Sequence, residues 1–199
     1  MFLGDCRVFM RNHRKIGDVC PFDHVVCDPP YSETVHKKSR RGATLPDVAE
    51  QECRRSRARD FGFESLSPEL RAECAQEFAR LARRWVLVFS DVESSNLWRA
   101  DLAAAKLDYV RTGAWVKQRA TPQFTGDRPA AGFEAITICH PKGRKKWNGG
   151  GTQGVWSHPV VANCLGHRQD RVHTAQKPLS LVIELVSLFT DPGDVVFDP

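Results

Sequence analysis

Asp23-His24-Val25-Val26-Cys27-Asp28-Pro29-Pro30-Tyr31 decides the fold. A short β-branched run, Asp23 to Cys27, is cut off by an aspartate and two prolines. Proline offers no N–H to a sheet ladder, so the run reads as a buried strand that stops at Asp28. Whatever Asp28 does, it does at the C-terminal end of a strand. In open α/β sheets that is where ligands bind. With proline at about 5% of residues, an Asp-Pro-Pro-Tyr quartet arises by chance on the order of once in a thousand chains of this length.

Outward from this strand, helical and strand patterns alternate. Tyr31 to about Phe63 is polar, basic and without apolar period, a long loop of a kind that in compact domains is functional or disordered. Ser67-Pro68 then starts a helix, a capping residue with proline at the first helical position. Leu70, Cys74, Phe78 and Leu81 recur at helical spacing, and Trp85-Val86-Leu87-Val88-Phe89 follows as a second buried strand. A further helix is expected from about Ser94 to Ala105. Tyr109 to Lys117 and Glu134 to Cys139 are strand-like runs that can pair antiparallel. Residues 141–171, rich in Gly, Lys, Trp and Asn, lack a period and read as an insertion or recognition loop rather than core. Pro178 to Thr190 is apolar at helical spacing. The turn Asp191-Pro192-Gly193-Asp194 and the strand Val195-Val196-Phe197 lead into Asp198-Pro199. The expectation is one α/β domain over 1–199.

Composition narrows the class. With 199 residues and 41% hydrophobic content, the chain can bury one sizeable core and not two. No apolar run approaches the roughly 18 to 20 residues of a membrane span, and Met-Phe-Leu-Gly-Asp is unlike a signal peptide, so a cytoplasmic protein is expected. The net charge of +5 comes from clusters, Lys37-Lys38-Ser39-Arg40-Arg41, Arg54-Arg55 with Arg57 and Arg59, and Lys142 to Lys146. Such clusters suit a phosphate backbone and equally suit solvated loops. The seven cysteines form no C-x-x-C pair, and Cys164 with His167 makes two ligands rather than a closed site; no metal and no disulfide framework is expected.

The quartet's residue types suit one kind of chemistry. An amine on an aromatic ring is a poor nucleophile, because its lone pair is delocalised, and a catalyst must accept hydrogen bonds from its N–H groups. Asp28 offers a carboxylate. The fixed φ of Pro29 and Pro30 lets the turn present a carbonyl, that of Pro29, as a second acceptor. Tyr31 offers a flat face for an extruded base, a contact worth about 1 to 3 kcal/mol per base.

On these residues the sequence resembles the amino-methylating DNA methyltransferases, in the permuted order whose catalytic motif precedes the cofactor motif. Leu3-Gly4-Asp5-Cys6 and Val25 to Tyr31 resemble the family's N-terminal block, and Trp85 to Asp91 its next strand. Trp115-Val116-Lys117, Gly126-Asp127-Arg128-Pro129 and Glu134-Ala135-Ile136 match the strands that flank the active site. His173-Thr174-Ala175-Gln176-Lys177-Pro178 resembles the H-x-x-Q-K-P block, and Pro192 to Pro199 the strand before the cofactor loop.

The resemblance implies a Rossmann-like S-adenosylmethionine-dependent fold, a mixed sheet with an antiparallel hairpin. It divides the domain into a catalytic part (1–140), a DNA-recognition insertion (141–171) and a cofactor-side helix and strand (172–199). It makes Asp28, Pro29, Pro30 and Tyr31 catalytic, sets Asp5, Lys177 and Asp198 near S-adenosylmethionine, and names double-stranded DNA as partner. Lys37, Lys38, Arg40, Arg41, Lys145 and Lys146 are the candidate DNA contacts. Asp rather than Ser at the head of the quartet favours adenine N6 over cytosine N4. No Gly-x-Gly follows Pro199, so the sheet is expected to be incomplete on its C-terminal side, with a homodimer or a complementing chain as further expected partners. Rival readings are an inactive DNA-binding fragment, half of a split enzyme, or a methyltransferase for RNA or protein glutamine. Against the last stands Asp where that family carries Asn.

Overall fold

The computed structural model describes residues 5–13, 20–31, 65–120, 122, 126–161 and 176–199. Among these, four helices and six strands occur: α1 (Cys6–Asn12), β1 (His24–Cys27), α2 (Pro68–Leu81), β2 (Val86–Ser90), α3 (Ser95–Ala104), β3 (Asp108–Gln118), β4 (Phe133–His140), β5 (Val155–Pro159), α4 (Leu179–Phe189) and β6 (Val196–Phe197). Lys37, Lys38, Arg40, Arg41, Arg54, Arg55, Arg57, Arg59, Cys164, His167 and His173 lie outside the described residues.

The six strands form one sheet in the order β5-β3-β4-β2-β1-β6. β1 pairs parallel with β2 and with β6, and β3 pairs parallel with β5. β4 is antiparallel to both of its neighbours. Five strands therefore run one way and β4 alone runs back. The carboxyl ends of the five and the start of β4 share one edge of the sheet.

The alternation of side chains sorts the core into two layers. Val86 and Val88 of β2 join Val25, Phe78, Trp98 and Phe197 under α1, α2 and α3. Leu87 and Phe89 face the other way, onto Leu181, Leu185 and Phe189 of α4. β2 is buried throughout, as expected of a central strand covered on both faces. α2 starts as its sequence signals, with the Ser67 hydroxyl accepting from the Leu70 amide at 3.2 Å and Pro68 next.

Within β3 the register shifts between Tyr109 and Arg111, leaving Val110 as the extra residue of a β-bulge. Tyr109 thereby packs toward the α1–α3 layer, whereas Trp115 belongs to the α4 layer.

The stretch 141–171 departs from its sequence reading. It contributes β5, which pairs with Ala114 to Gln118, and Trp156, which is 2% exposed in the α4 layer. The ring packs over Gly113, where a Cβ would come within 2.5 Å of it. The Trp85 indole donates to the Lys146 carbonyl at 2.6 Å, and Trp147 packs edge-on against Phe189. A strand with one buried side chain and a core built of tryptophans has too little alternation to register as a periodic pattern.

Candidate active site

The carboxyl edge gathers the sequence-predicted residues. Asp28 follows the last residue of β1, and Asp198 follows the last residue of β6, which lies beside β1. α1 runs against β1: His13, just past its C-terminus, stacks near Phe22 at the strand's start, so Asp5 at its N-terminus points to the same edge. There Asp5 caps the Arg7 amide at 2.9 Å and pairs with the Arg7 guanidinium, whose hydrogen bonds hold its carboxyl down at about 2. α4 also runs against the parallel strands, which brings Lys177, two residues before it, to this edge.

Lys177 stands at the centre of the site. Its Nζ lies 2.6 Å from Asp28 Oδ1, 3.2 Å from Glu134 Oε2 and 3.2 Å from the Tyr31 hydroxyl. The ammonium also lies over the rings of Tyr31 (5.3 Å), Phe89 (5.3 Å) and Trp115 (6.0 Å). An ammonium so enclosed is stabilised by two carboxylates and by ring faces in place of water. Its side chain is only 10% exposed. Lys177 is thus part of the ion network around Asp28.

Glu134 is the residue that sequence reasoning quoted without giving it a role. It begins the inward face of β4, is nearly buried, accepts from the Tyr31 hydroxyl at 2.5 Å and pairs with Lys117 at 2.8 Å. Burial alone would raise its carboxyl, but the Lys177 and Lys117 ammoniums and the hydrogen bonds from Lys117 and Tyr31 outweigh it and hold Glu134 below the ordinary value. Burial and the nearby Glu134 and Asp28 charges push the Tyr31 phenol well above its usual range, so it remains a donor. A signal for the pair existed. Lys117 shares a strand face with the buried Trp115, and Glu134 shares one with the buried Ile136, so both charges fall on inward-facing positions.

Asp198, exposed at the tip of β6, is nevertheless raised, by the protein packed around it and by the nearby Asp28 charge. Pro29 is buried and Pro30 half-buried behind Asp28. Lys145 and Lys146 are not brought to this edge. They pair with Asp108, at the start of β3, and with Asp191, beyond the far end of α4. Both partners belong to the opposite edge of the sheet.

The Asp-Pro-Pro-Tyr turn thus stands at the carboxyl edge of a mixed sheet, where open α/β folds bind their ligands. Residues 22–199 match the family model described as DNA methylase, and the chain belongs to this family of N6- and N4-methylating enzymes. Among solved structures, M1.HpyAVI in complex with SAM aligns with a TM-score of 0.64 at 18% identity, covering 100% of this chain and 80% of that one. M1.HpyAVI in a second crystal structure gives 0.62 at 16% identity, covering 100% and 79%. TTHA0409 of Thermus thermophilus, described as a DNA modification methylase and complexed with S-adenosyl-L-methionine, gives 0.58 at 15% identity over 99% and 76%. These likenesses establish the fold. No curated protein sequence matches the chain. Among the described residues no helix is long and apolar enough to cross a membrane.

Proposed function

We propose that this chain methylates the exocyclic N6 of adenine in duplex DNA, with S-adenosylmethionine as donor. The observation that carries the reading is the Asp28 carboxylate, held at the carboxyl edge by a buried ammonium and adjoining the tip of β6. The donor's charge suits this edge. Burial and the nearby Asp28 charge raise the cost of ionising Asp198, and a cation bound beside these two carboxylates relieves it.

When bound, the donor's sulfonium supplies an electrophilic methyl group. The chain's own residues prepare the nucleophile. Asp28 accepts a hydrogen bond from the target amine, and the Pro29 carbonyl accepts the second, which favours a tetrahedral nitrogen whose lone pair is available. Asp28 then takes up the proton that the methylated nitrogen sheds. The Tyr31 ring supplies a stacking face for the flipped base and offsets part of the unstacking cost, about 1 to 3 kcal/mol per base. Positioning and electrostatics supply the rate, with no covalent intermediate on the protein. Lys37, Lys38, Arg40 and Arg41, which follow the quartet closely in sequence, serve as phosphate contacts. An Asp rather than a Ser at the head of the quartet supports adenine. A homodimer or a complementing chain is the partner proposed for assembly.

Asp28→Ala tests the site. Methyl transfer to unmethylated plasmid DNA should fall by at least about a hundredfold while DNA binding persists, because an acceptor for the amine is lost and no phosphate contact is. Nucleoside mass spectrometry of the parent's product reads the base directly. N4-methylcytosine in place of N6-methyladenine would move the substrate assignment and keep the site. Undiminished transfer by Asp28→Ala would remove Asp28 from it.

A further inference from the structure

We propose that Glu134, backed by Lys117, is a positioning residue that gives the Lys177 ammonium a second carboxylate, so that Lys177 can yield Asp28 to the target amine without leaving the buried site. The proposal rests on the reading of Asp28 as the amine's acceptor.

The geometry sets a problem and supplies its answer. Lys177 Nζ is 2.6 Å from Asp28 Oδ1, on an oxygen of the carboxylate that the incoming amine needs. Were Asp28 its one anionic partner, displacement would strand a buried cation, and the strong attraction of an unpaired ammonium for Asp28 would oppose the amine. Glu134 Oε2 at 3.2 Å and the Tyr31 hydroxyl at 3.2 Å already share the ammonium. A shift of well under a side-chain length carries Nζ from one carboxylate to the other. The three rings line that path, so the cation stays within reach of an aromatic face.

Lys117 sets the balance. It pairs with the other Glu134 oxygen, Oε1, at 2.8 Å, leaving Oε2 for Lys177 and Tyr31. Two lysines and two carboxylates sum to zero, so Lys177 neither rests wholly on Glu134 nor remains fixed on Asp28. Displacement of Lys177 by a neutral amine leaves that sum unchanged. It also exposes a full negative charge to the nitrogen as the latter becomes positive.

The first test needs no catalysis. The full chain is treated with acetic anhydride, and acylation at Lys177 is followed by peptide mass spectrometry, with thermal melting to verify folding. In Glu134→Gln the ammonium has one carboxylate fewer, and Lys177 should acylate about tenfold faster. In Lys117→Met, Glu134 belongs to Lys177 alone, and acylation should slow. An unchanged rate in Glu134→Gln, or a faster one in Lys117→Met, overturns the proposal; if Glu134→Gln does not fold, Lys117→Met decides.

The second test uses steady-state methylation of unmethylated plasmid DNA. Glu134→Gln should lower kcat about tenfold or more with KM for DNA within about twofold, and Glu134→Asp should recover part of the loss. A parent protein that transfers no methyl group refutes the proposed function, whereas the acylation rates still judge the clamp. A parent that methylates, with an equally fast Glu134→Gln, refutes the clamp alone.

Discussion

Glu134 is nearly buried between two ammoniums, and the consequence can be read in acid. Its folded-state carboxyl is lower than the ordinary value of 4.5. Such a group contributes stability that is fully present above 4.5 and is lost as pH falls through the lower, folded value. Glu134→Gln removes the contribution. The variant should be less stable than the parent at neutral pH, and the two urea midpoints should converge as pH drops below 4.5. At this scale Asp28 was legible in the sequence, because prolines punctuate the strand and leave the carboxylate at its end. The role of Lys177 was not legible: the resemblance set it near the donor, whereas the structure shows it in an ion network whose carboxylates lie 149 and 43 residues away, and no local pattern encodes distances of that kind.

Among elements, β5 is the one the sequence hid. Val155, Ser157 and Pro159 of β5 are exposed, and Trp156 alone is buried among its five residues, so the strand has no apolar repeat to announce it. Its energetic weight is concentrated in that indole, which packs against Gly113 and lies 6.2 Å from the Phe189 ring. Trp156→Ala should cost about 3 to 5 kcal/mol in chemical denaturation, as a large cavity in a packed layer does. A cost below about 1 kcal/mol would mean that the edge strand contributes little to the α4 layer. β2, α2, α3 and α4 were legible, because burial on both faces or a helical stripe leaves a signal within one element, whereas the seven-residue α1 is too short to show such a stripe. The pairing of β3 with β4 was legible too, as two strand-like runs joined by a Pro/Gly-rich link.

The whole molecule responds to pH through two buried imidazoles at the edge remote from the site. His24 is fully buried, with Nε2 2.9 Å from Asp194 and Nδ1 without a hydrogen-bond partner among the described residues. His140 is nearly so, with Nδ1 2.6 Å from the Pro141 carbonyl. Burial lowers both below the ordinary 6.5, although Asp194 partly offsets it for His24 and the Pro141 carbonyl for His140. Unfolding frees them to take up protons, so stability declines as pH falls from about 6.5 toward the folded-state values, and it levels once those are passed. The thermal midpoint should therefore fall on acidification from pH 7.5 to 5.5, and His140→Gln should flatten the profile. A midpoint constant across that range would show that neither imidazole is held neutral.

The bulge at Val110 has a consequence for how the gene can change. One surplus residue inverts the alternation of β3 partway along, so that Tyr109 serves one layer while Trp115 and Lys117 serve the other. Losing a single codon there would restore strict alternation and force a choice: either the aromatic ring at the start of the strand or the lysine at its end must turn to the wrong side of the sheet. Residue count at Val110 thus governs which side of the sheet Lys117 occupies, although the bulge itself touches no part of the chemistry.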